Sequence, residues 1–502
     1  MPTVVRGAGL SAVGFVATQV VTLAAYVVLA RLASPSTFGT FAAAAIIVTT
    51  GMFMTESGMT AALVQRRGLI DAAAATAMAS TLVGGVLMSL LALALSPLVG
   101  LFFRSAQIGE VAAALAGLLF IHAVAVVPGA LLQRRLSLRP LLIVEPLAAA
   151  ALGIASGLAL AAGLGVWGLT IGAYASAVVR TASIWLLGGW RPRFAGASWT
   201  LWRELARYAR HLVASEAIRQ SGSIVTTAVV GRVLGTASLG QFRYAWRLAA
   251  TGASVMSAGA YMLLPAFSHI AAEPERLRAA FERSLRVAAL VVFPLTFLFL
   301  ALGEPIAVLL FGEVWAEAGW VLMALSGVVA AGGVGSVASE VLKAAGRPDL
   351  LPRLHAVSAL VPIVLMFALL SFGAVGVGLG ISIGSGIAAT YALVRATAVV
   401  GGSMRVMLGQ LRVPAAAGAI AACATFVLDR FVLHAASRSG VAGIATLCFE
   451  VLLLTLSYVA LVVAFSKQAA SELRAIRDVL LPRLRRSREP RVADIETPTR
   501  PR

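Results

Sequence analysis

The sequence contains little charge, little cysteine and little histidine. Charged residues make up 12% of the 502 positions, about half of the share found in soluble domains. The two cysteines, Cys423 and Cys448, are too few for a disulfide framework or a four-ligand metal site. The five histidines are scattered, and the chain has no phosphate-binding loop and no HExxH or GxSxG motif. We therefore predict a protein that is not an enzyme and uses no metal or cofactor.

Hydrophobic residues, in contrast, make up 60% of the chain. One soluble core cannot bury that much apolar surface, whereas a lipid bilayer can solvate it. The net charge of +19 would suit nucleic acid only if the basic residues formed one soluble face with interleaved aromatic side chains. They lie between hydrophobic runs instead. We predict an all-α integral membrane protein that is surrounded by membrane lipids and binds no nucleic acid.

A membrane-spanning helix needs about 20 apolar residues, and the chain offers fourteen such runs between clusters of charge. The predicted spans lie near residues 9–31, 38–63, 72–95, 110–132, 141–162, 166–189, 211–232, 242–267, 287–303, 318–340, 354–372, 374–394, 413–431 and 441–465.

Arginine and lysine are distributed unevenly between the loops. With the N-terminus inside, the six inner loops carry twenty of them, and the outer loops with the adjoining helix ends carry seven. Because basic residues in short loops stay on the cytoplasmic side, we predict a multi-pass protein of the cytoplasmic (inner) membrane with both termini in the cytoplasm. The inner loop 191–210 predicts a basic interfacial helix, and residues 467–502 predict a basic amphipathic tail on the inner leaflet.

Comparison of the chain with itself shows a repeat at an offset of 201 residues. Ten of forty-five aligned positions are identical, where this composition predicts about four by chance. The identical pairs include Gln19 with Gln220, Arg31 with Arg232, and Gly39 with Gly240. An offset of six helices keeps both copies in the same orientation, so we predict two six-helix lobes related by an axis along the membrane normal. The lobes cover residues 1–190 and 191–400, and residues 401–466 form two additional helices.

Polar residues recur every three or four positions along the seventh predicted helix, which places them on one helical stripe. They are Glu216, Arg219, Gln220, Ser223, Thr226 and Thr227. The first helix repeats this stripe more weakly, and the eighth adds two arginines that are one turn apart. Ionisable groups at membrane depth are costly unless they are paired or face water. We therefore predict a hydrated cleft between the lobes, with a basic side that attracts a diphosphate.

The cleft prediction names seven substrate-binding residues and two candidates for ion coupling. The substrate-binding set is Arg219, Arg243, Arg247, Arg31, Arg232, Gln19 and Gln220, and the ion-coupling candidates are Glu56 and Glu216. A structural alternative stays open, in which Glu216 pairs with Arg219 while Arg243 and Arg247 extend to the membrane surface. Glu56 could equally pair with a neighbouring arginine, Arg66 or Arg67.

Four further ionisable residues lie in or beside the predicted spans. For Arg180, in the sixth predicted helix, a functional role and a side chain that extends to the membrane surface both stay open. Glu145 precedes Pro146 at the cytoplasmic edge of its helix and is predicted to be structural. Glu340 lies beside Lys343, and Glu450 lies on one of the two additional helices, so neither is given a role.

Gly376, Gly380 and Gly384 form successive GxxxG spacings, which predict close helix packing rather than a nucleotide site.

Two stretches of the chain carry motifs of a known family. One runs from Val28 to Pro35 and continues with Phe38-Gly39 and Glu56-Ser57-Gly58. The other runs from Val230 to Gly235 and continues with Leu239-Gly240 and Tyr244-Ala245. The sequence thereby resembles the polysaccharide transporter family of the MOP superfamily, which comprises O-antigen and exopolysaccharide flippases.

The resemblance implies a fold, a substrate and a mechanism. A member of this family would export a polyprenyl-diphosphate-linked oligosaccharide for the biosynthesis of lipopolysaccharide or exopolysaccharide, through a cationic cavity between two lobes, by alternating access. Other polysaccharide-assembly proteins would be candidate partners. The chain departs from the family pattern at Thr226 and Thr227, because many relatives carry an acidic residue late in the seventh helix.

Three other function classes stay open. A cation-coupled multidrug exporter of the same superfamily would be expected to have twelve helices and an acidic residue in the first one, where this chain offers Gln19 and hydroxyl groups. A lipid II flippase would differ only in its substrate. A membrane polysaccharide polymerase or ligase would need a long outer loop with catalytic residues, which the predicted topology does not contain.

Overall fold

The computed structural model describes residues 2–66, 68, 70–135, 138–192, 196–260, 263–438 and 440–472. Some side chains within these ranges lie outside the described part, among them those of Glu56, Glu216 and Arg219.

Sixteen α-helices are found in the described ranges. They are α1 (Pro2–Leu32), α2 (Pro35–Gln65), α3 (Ile70–Phe103), α4 (Ala106–Leu115), α5 (Gly117–Arg134), α6 (Leu138–Ala161), α7 (Val166–Gly188), α8 (Trp199–Val229), α9 (Gly235–Ala260), α10 (Leu263–His269), α11 (Pro274–Phe311), α12 (Ala316–Ala344), α13 (Leu351–Ala368), α14 (Gly373–Val399), α15 (Met404–Leu428) and α16 (Gly440–Phe465).

Twelve stretches of the described chain are long and apolar enough to cross a membrane. This confirms an all-α, multi-pass architecture, whereas the count of fourteen spans stays a prediction. The twelve candidate spans are fewer than the fourteen predicted ones for two reasons. The first helix contributes only the shorter apolar stretch Ala17–Leu32, and one stretch, Gln220–Ala253, joins the end of α8 to α9. Gly235, which has a φ of 90°, interrupts the helix within that stretch.

Local sequence signals account for several helix boundaries. Ser34 caps α2 by accepting a hydrogen bond from the backbone nitrogen of Thr37 at 3.3 Å, and Pro35 occupies the first turn. The tight connection expected before residue 374 is a single 3₁₀ turn, Leu370–Phe372, followed by Gly373 with a φ of 70°. The helix expected within 191–210 begins at Trp199 as the first part of α8 and continues without a break into the predicted span, whereas its interfacial position stays a prediction.

Helix contacts repeat between the first and second halves of the chain. In the first half α1 packs against α6, α6 against α7, and α3 against α4 and α5. The corresponding pairs in the second half are α8 with α13, α13 with α14, and α11 with α12. Helix α15 packs against α11, and α16 packs against both α15 and α11. The pairings agree with the repeat found in the sequence, while the lobe boundaries remain a prediction.

The three glycines of the GxxxG series lie where α14 meets α13. A Cβ atom at Gly376, Gly380 or Gly384 would overlap the α13 backbone or the turn that follows it. The close packing expected from their spacing is therefore confirmed.

The turn after α12 contains a fork-shaped ion pair. Arg347 donates from Nε and Nη2 to the two carboxylate oxygens of Asp349, each at 2.9 Å. These hydrogen bonds lower the pKa of Asp349 below its ordinary value. Gly346 precedes the pair with a φ of 71°, which allows the chain to reverse.

The start of the C-terminal segment returns to the helix bundle. Residues 467–472 are helical, and Glu472 accepts hydrogen bonds from Arg283 of α11 at 2.8 and 3.0 Å. The rest of the predicted amphipathic tail, residues 473–502, lies outside the described residues.

Candidate functional site

The two halves of the chain meet at equivalent glycines. A Cβ atom on Gly39 of α2 would overlap the carbonyl oxygen of Thr236, and one on Gly240 of α9 would overlap that of Pro35. Gly39 and Gly240 are also partners in the sequence repeat. The close approach of α2 and α9 therefore depends on both glycines, and we call this region the junction.

Aromatic side chains fill the space beside the glycines. The ring of Tyr244 has its centroid 4.2 Å from Trp315, 4.8 Å from Phe38, 5.0 Å from Phe311 and 5.6 Å from Tyr26. The Trp315 indole is buried and donates to the backbone oxygen of Ala30 at 2.9 Å, and the Tyr244 hydroxyl donates to that of Tyr26 at 3.2 Å. These hydrogen bonds connect α9 and the start of α12 to α1.

Arg31 also belongs to the junction. Its Nε donates to the carbonyl oxygen of Leu310 at 3.0 Å, and its Nη2 donates to that of Leu309. Both carbonyls lie in the last turn of α11, where the helix dipole favours a positive charge. The structure thus places this predicted substrate-binding residue on a helix end, away from the cavities described next.

Arg247 and Gln19 line one cavity, between α1, α9 and α11. Its volume is 440 Å³, and apolar side chains form most of its wall. The guanidinium of Arg247 lies over the ring of Tyr26, 5.0 Å from the ring centroid. The structure therefore brings together these two predicted site residues, one from each half of the repeat.

Arg243 and Gln220 line a second cavity, between α8, α9, α13 and α14. This cavity has a volume of 340 Å³ and a more polar wall than the first. Thr226 and Thr227 line it as well, and their hydroxyls donate to the backbone of α8 one turn earlier, each at 2.8 Å. Helix α9 consequently presents one arginine to each of two neighbouring cavities.

Neither of these arginines has an ion-pair partner within the part of the chain that the structure describes. Arg243 is half-buried, and Arg247 lies one helical turn further along α9. Two guanidinium groups one turn apart attract an anion when no carboxylate neutralises them, and they do so strongly where water is scarce.

Arg232 lies elsewhere. It lines a cavity of 700 Å³ together with Arg104, Ser36 and Thr236, on the side of the junction where α2 and α9 begin. The structure therefore separates Arg31 and Arg232 from Arg243 and Arg247, although the sequence grouped all four.

The predicted site residues Arg219, Glu216 and Glu56 have side chains outside the described part of the structure, so their roles stay predictions. Arg66, one of the proposed partners of Glu56, pairs with Glu204 at 2.9 Å. Within the described ranges, no group of three histidine, cysteine, aspartate or glutamate residues is arranged to hold a metal ion.

Sequence reasoning singled out Arg180 and Glu145 separately and missed that they pair, at 2.7 Å. A signal for this pair was present. Helices α6 and α7 form an antiparallel hairpin, and the two residues are almost equally far from its turn at Gly163. The pair expected from the proximity of Glu340 and Lys343 is confirmed, with Nζ 2.7 Å from Oε1.

Residues 28–319, more than half of the chain, match the family described as "Polysaccharide biosynthesis protein". The chain belongs to this family. The resemblance inferred from the motifs around Arg31 and Arg232 is thereby confirmed.

Curated relatives of this family member include two named for glycan transport. It is 28% identical to the succinoglycan biosynthesis transport protein ExoT of Rhizobium meliloti (strain 1021), over 64% of this chain and 65% of that protein. It is 27% identical to the probable low-salt glycan biosynthesis flippase Agl15 of Haloferax volcanii, over 35% of this chain and 38% of that one. The chain thus spans less than two thirds of the length of either relative.

Solved structures of MOP-type transporters share the fold of this family member. The lipid II flippase MurJ in an inward closed conformation aligns with a TM-score of 0.74 at 14% identity, over 94% of this chain and 100% of that one. An inward-facing multidrug resistance MATE transporter aligns with a TM-score of 0.65 at 17% identity, over 77% of this chain and 96% of that one. At these identities the likeness concerns the fold alone.

Proposed function

We propose that the protein is a flippase that translocates a polyprenyl-diphosphate-linked oligosaccharide across the cytoplasmic membrane for cell-surface polysaccharide biosynthesis. Family membership and the glycan-transport names of two relatives support this class of substrate. The observation that carries the proposal is the placement of Arg243 and Arg247 on α9, each lining a cavity and neither facing a carboxylate within the described residues.

A diphosphate would explain why the chain keeps two arginines at membrane depth that have no carboxylate partner among the described residues. An isolated charge costs several kcal/mol in the bilayer, so the arrangement is unfavourable unless an anionic ligand or water occupies the cavities. A diphosphate can accept hydrogen bonds from both arginines, since its oxygens match the guanidinium fork. The sugars would occupy the hydrated cleft while the polyprenyl chain stays in lipid.

The transport movement follows from the repeat. We infer that residues 1–190 and 191–400 act as two lobes that rock about the cavities and that residues 401–466 are added to the second lobe. The junction would then be the contact that breaks when the lobes separate on its side of the membrane. From the distribution of basic loops we infer that both termini lie in the cytoplasm and that the junction lies near the outer surface.

Other transporters of this fold carry different substrates. A multidrug exporter of cationic compounds is disfavoured by the basic character of α9, because like charges would repel. The basic residues of α9 do not distinguish the proposed flippase from a lipid II flippase, since the substrate of the latter also carries a diphosphate. The identity of the accumulated lipid distinguishes the two.

The test is the glycolipid content of cells that lack the gene. Polyprenyl-diphosphate oligosaccharides are separated by whether a probe outside the cell can reach them. We expect an inaccessible inner-leaflet species to accumulate and surface polysaccharide to be lost. An unchanged lipid pool, with no second exporter present, would refute the flippase proposal, and accumulation of lipid II would reassign the substrate.

The arginine assignment is tested in the same cells. The double variant Arg243→Gln, Arg247→Gln should fail to restore export although it reaches normal abundance in the membrane. Arg276→Gln is the matched control, because Arg276 is exposed and pairs with Glu273 at the start of α11. Export by the double variant at the control level would refute the assignment. Arg219→Gln, combined with Arg247→Gln, extends the test to the residue predicted from sequence alone.

A further inference from the structure

The carboxyl group of Glu450, on helix α16, is buried and has no hydrogen-bond donor among the described residues. Glu450 is fully buried, with 0% of its surface exposed. Neither of its carboxylate oxygens accepts a hydrogen bond from any described residue. An ionised carboxylate in this position would lose its solvation without compensation, which is among the most costly arrangements in a membrane protein.

Another carboxyl group, that of Asp429 at the end of α15, interacts with Glu450, and α15 packs against α16. Two carboxylates cannot bond to each other unless one of them carries a proton, because an ionised carboxylate only accepts. Asp429 is held in place by its own contacts, since its Oδ1 accepts from the backbone nitrogen of Ala435 at 2.8 Å. It also begins a π-helical segment, Asp429–Leu433, and such segments often occur at functional sites.

The charges of Glu450 and its two charged neighbours balance when one proton is bound. Asp429, at the end of α15, is negative, and Arg438, in the turn before α16, is positive. Arg438 is fixed by a hydrogen bond from Nε to the oxygen of Leu433 at 2.7 Å. From α11, the third packed helix, the carboxyl group that faces this region is Glu304, on the wall of a neighbouring cavity. One proton shared between Glu450 and Asp429 makes the group of three neutral.

A metal or sodium ion fits this position less well than a proton. Hard cations take about six oxygen ligands, and the described residues contain no suitable group of three acidic, histidine or cysteine side chains. The guanidinium of Arg438 would also repel a cation from the pair.

The pair has a route to solvent. Asp429 lines a cavity of 530 Å³ between α11, α12 and α15, together with Glu304, Glu313 and His434. Glu450 lies in the interior, whereas Asp429 reaches the cavity. Asp429 can therefore exchange a proton with water in the cavity and share it with Glu450.

We propose that Glu450 and Asp429 form a proton-binding site in the two additional helices, loaded from the cavity between α11, α12 and α15. In each cycle one proton binds the carboxylate pair and the same proton later leaves it. The use of this proton to drive transport rests on the proposed function, whereas the binding itself does not.

Binding is tested by infrared difference spectroscopy of the full-length protein in lipid vesicles after a pH step, with the proton as probe. The wild type should show a protonated-carboxyl band at neutral pH that Glu450→Gln removes. Glu450→Gln resembles the protonated form, so the variant is expected to fold. Glu340→Gln is the control, because Glu340 pairs with Lys343. An unchanged band in Glu450→Gln would overturn the proposal, as would loss of the wild-type band on addition of sodium at constant pH.

A second variant separates the roles of the two carboxyls. Asp429→Asn removes the negative neighbour and supplies an amide donor, so Glu450 should ionise and its band should appear only at lower pH. A band at unchanged pH would show that Asp429 does not share the proton and would overturn the paired site.

Coupling is tested in vesicles loaded with the glycolipid. An imposed pH gradient should stimulate translocation by the wild type and by Glu340→Gln, and this stimulation should be lost in Glu450→Gln. If Glu450→Gln loses the infrared band but keeps the stimulation, coupling is refuted while proton binding and the flippase function both stand. If the wild type moves no glycolipid under any gradient, the proposed function fails and the infrared result still decides the site.

Discussion

A guanidinium in a membrane protein is stabilised by an anion, a dipole, an aromatic ring or water. Arg31, Arg247 and Arg243 differ in which of these partners the described residues provide. Arg31 donates to backbone carbonyls at the end of α11. Arg247 lies over the ring of Tyr26. Arg243 has neither kind of partner within the described residues. Of the three arginines, it should therefore be stabilised most by hydrogen bonds to an anionic substrate. Arg31 is thus held by contacts within the fold, whereas we propose that the other two bind the anionic substrate.

The junction role of Arg31 predicts a change in stability without a change in transport chemistry. Arg31→Gln should lower the free energy of unfolding by about 1.5–3 kcal/mol, the usual contribution of hydrogen bonds that involve a charged group. Thermal denaturation of the purified protein in detergent measures this loss. Arg430→Gln, at an exposed arginine beyond α15, provides the control. Loss of export by Arg31→Gln at unchanged stability would instead support the substrate-binding role predicted from the sequence.

At the scale of helices, sequence reasoning succeeded where the determining contacts are local or close to a turn. The all-α, multi-pass character, the glycine series of α14 and the pair of Glu340 with Lys343 all follow from patterns within single helices. The position of Arg31 could not be predicted, because its partner Leu310 lies 279 residues away in the chain. The same reason explains the separation of Arg232 from Arg243, since the sequence shows depth in the membrane but not which cavity a side chain lines.

The contact between α2 and α9 predicts a strong effect of a small side chain. Gly39→Ala should displace α9, because the added methyl group would overlap the backbone at Thr236 and backbone cannot move aside as a side chain can. Accessibility of cysteines placed at Ser36 or Thr236 should rise as the junction opens. Gly409→Ala is the control, since a Cβ there meets no atom within 4 Å. Equal accessibility in the two variants would show that close packing at Gly39 is not required for closure.

For the whole molecule, the proposed rocking of the two lobes is a movement that could be blocked at the junction. Equivalent helices of the two halves meet at equivalent glycines, so separation of the halves must break the contacts of α2 with α9, of Arg31 with α11 and of Trp315 with α1. A transporter that alternates between two accessible states has to break them in every cycle.

A cross-link across the junction should therefore stop transport. Ser36 and Thr236 line the same cavity from α2 and α9, and cysteines at both positions can be bridged by a bifunctional maleimide once the exposed Cys423 and Cys448 have been replaced. We expect the bridged protein to bind glycolipid and to leave it on the inner leaflet, because the lobes can no longer part on this side. A monofunctional maleimide on the same two cysteines should leave export intact, since it adds similar bulk without a tether. Export by the bridged protein would mean that the substrate crosses without separation of α2 from α9, and the lobes would then have to move about an axis that passes through the junction itself.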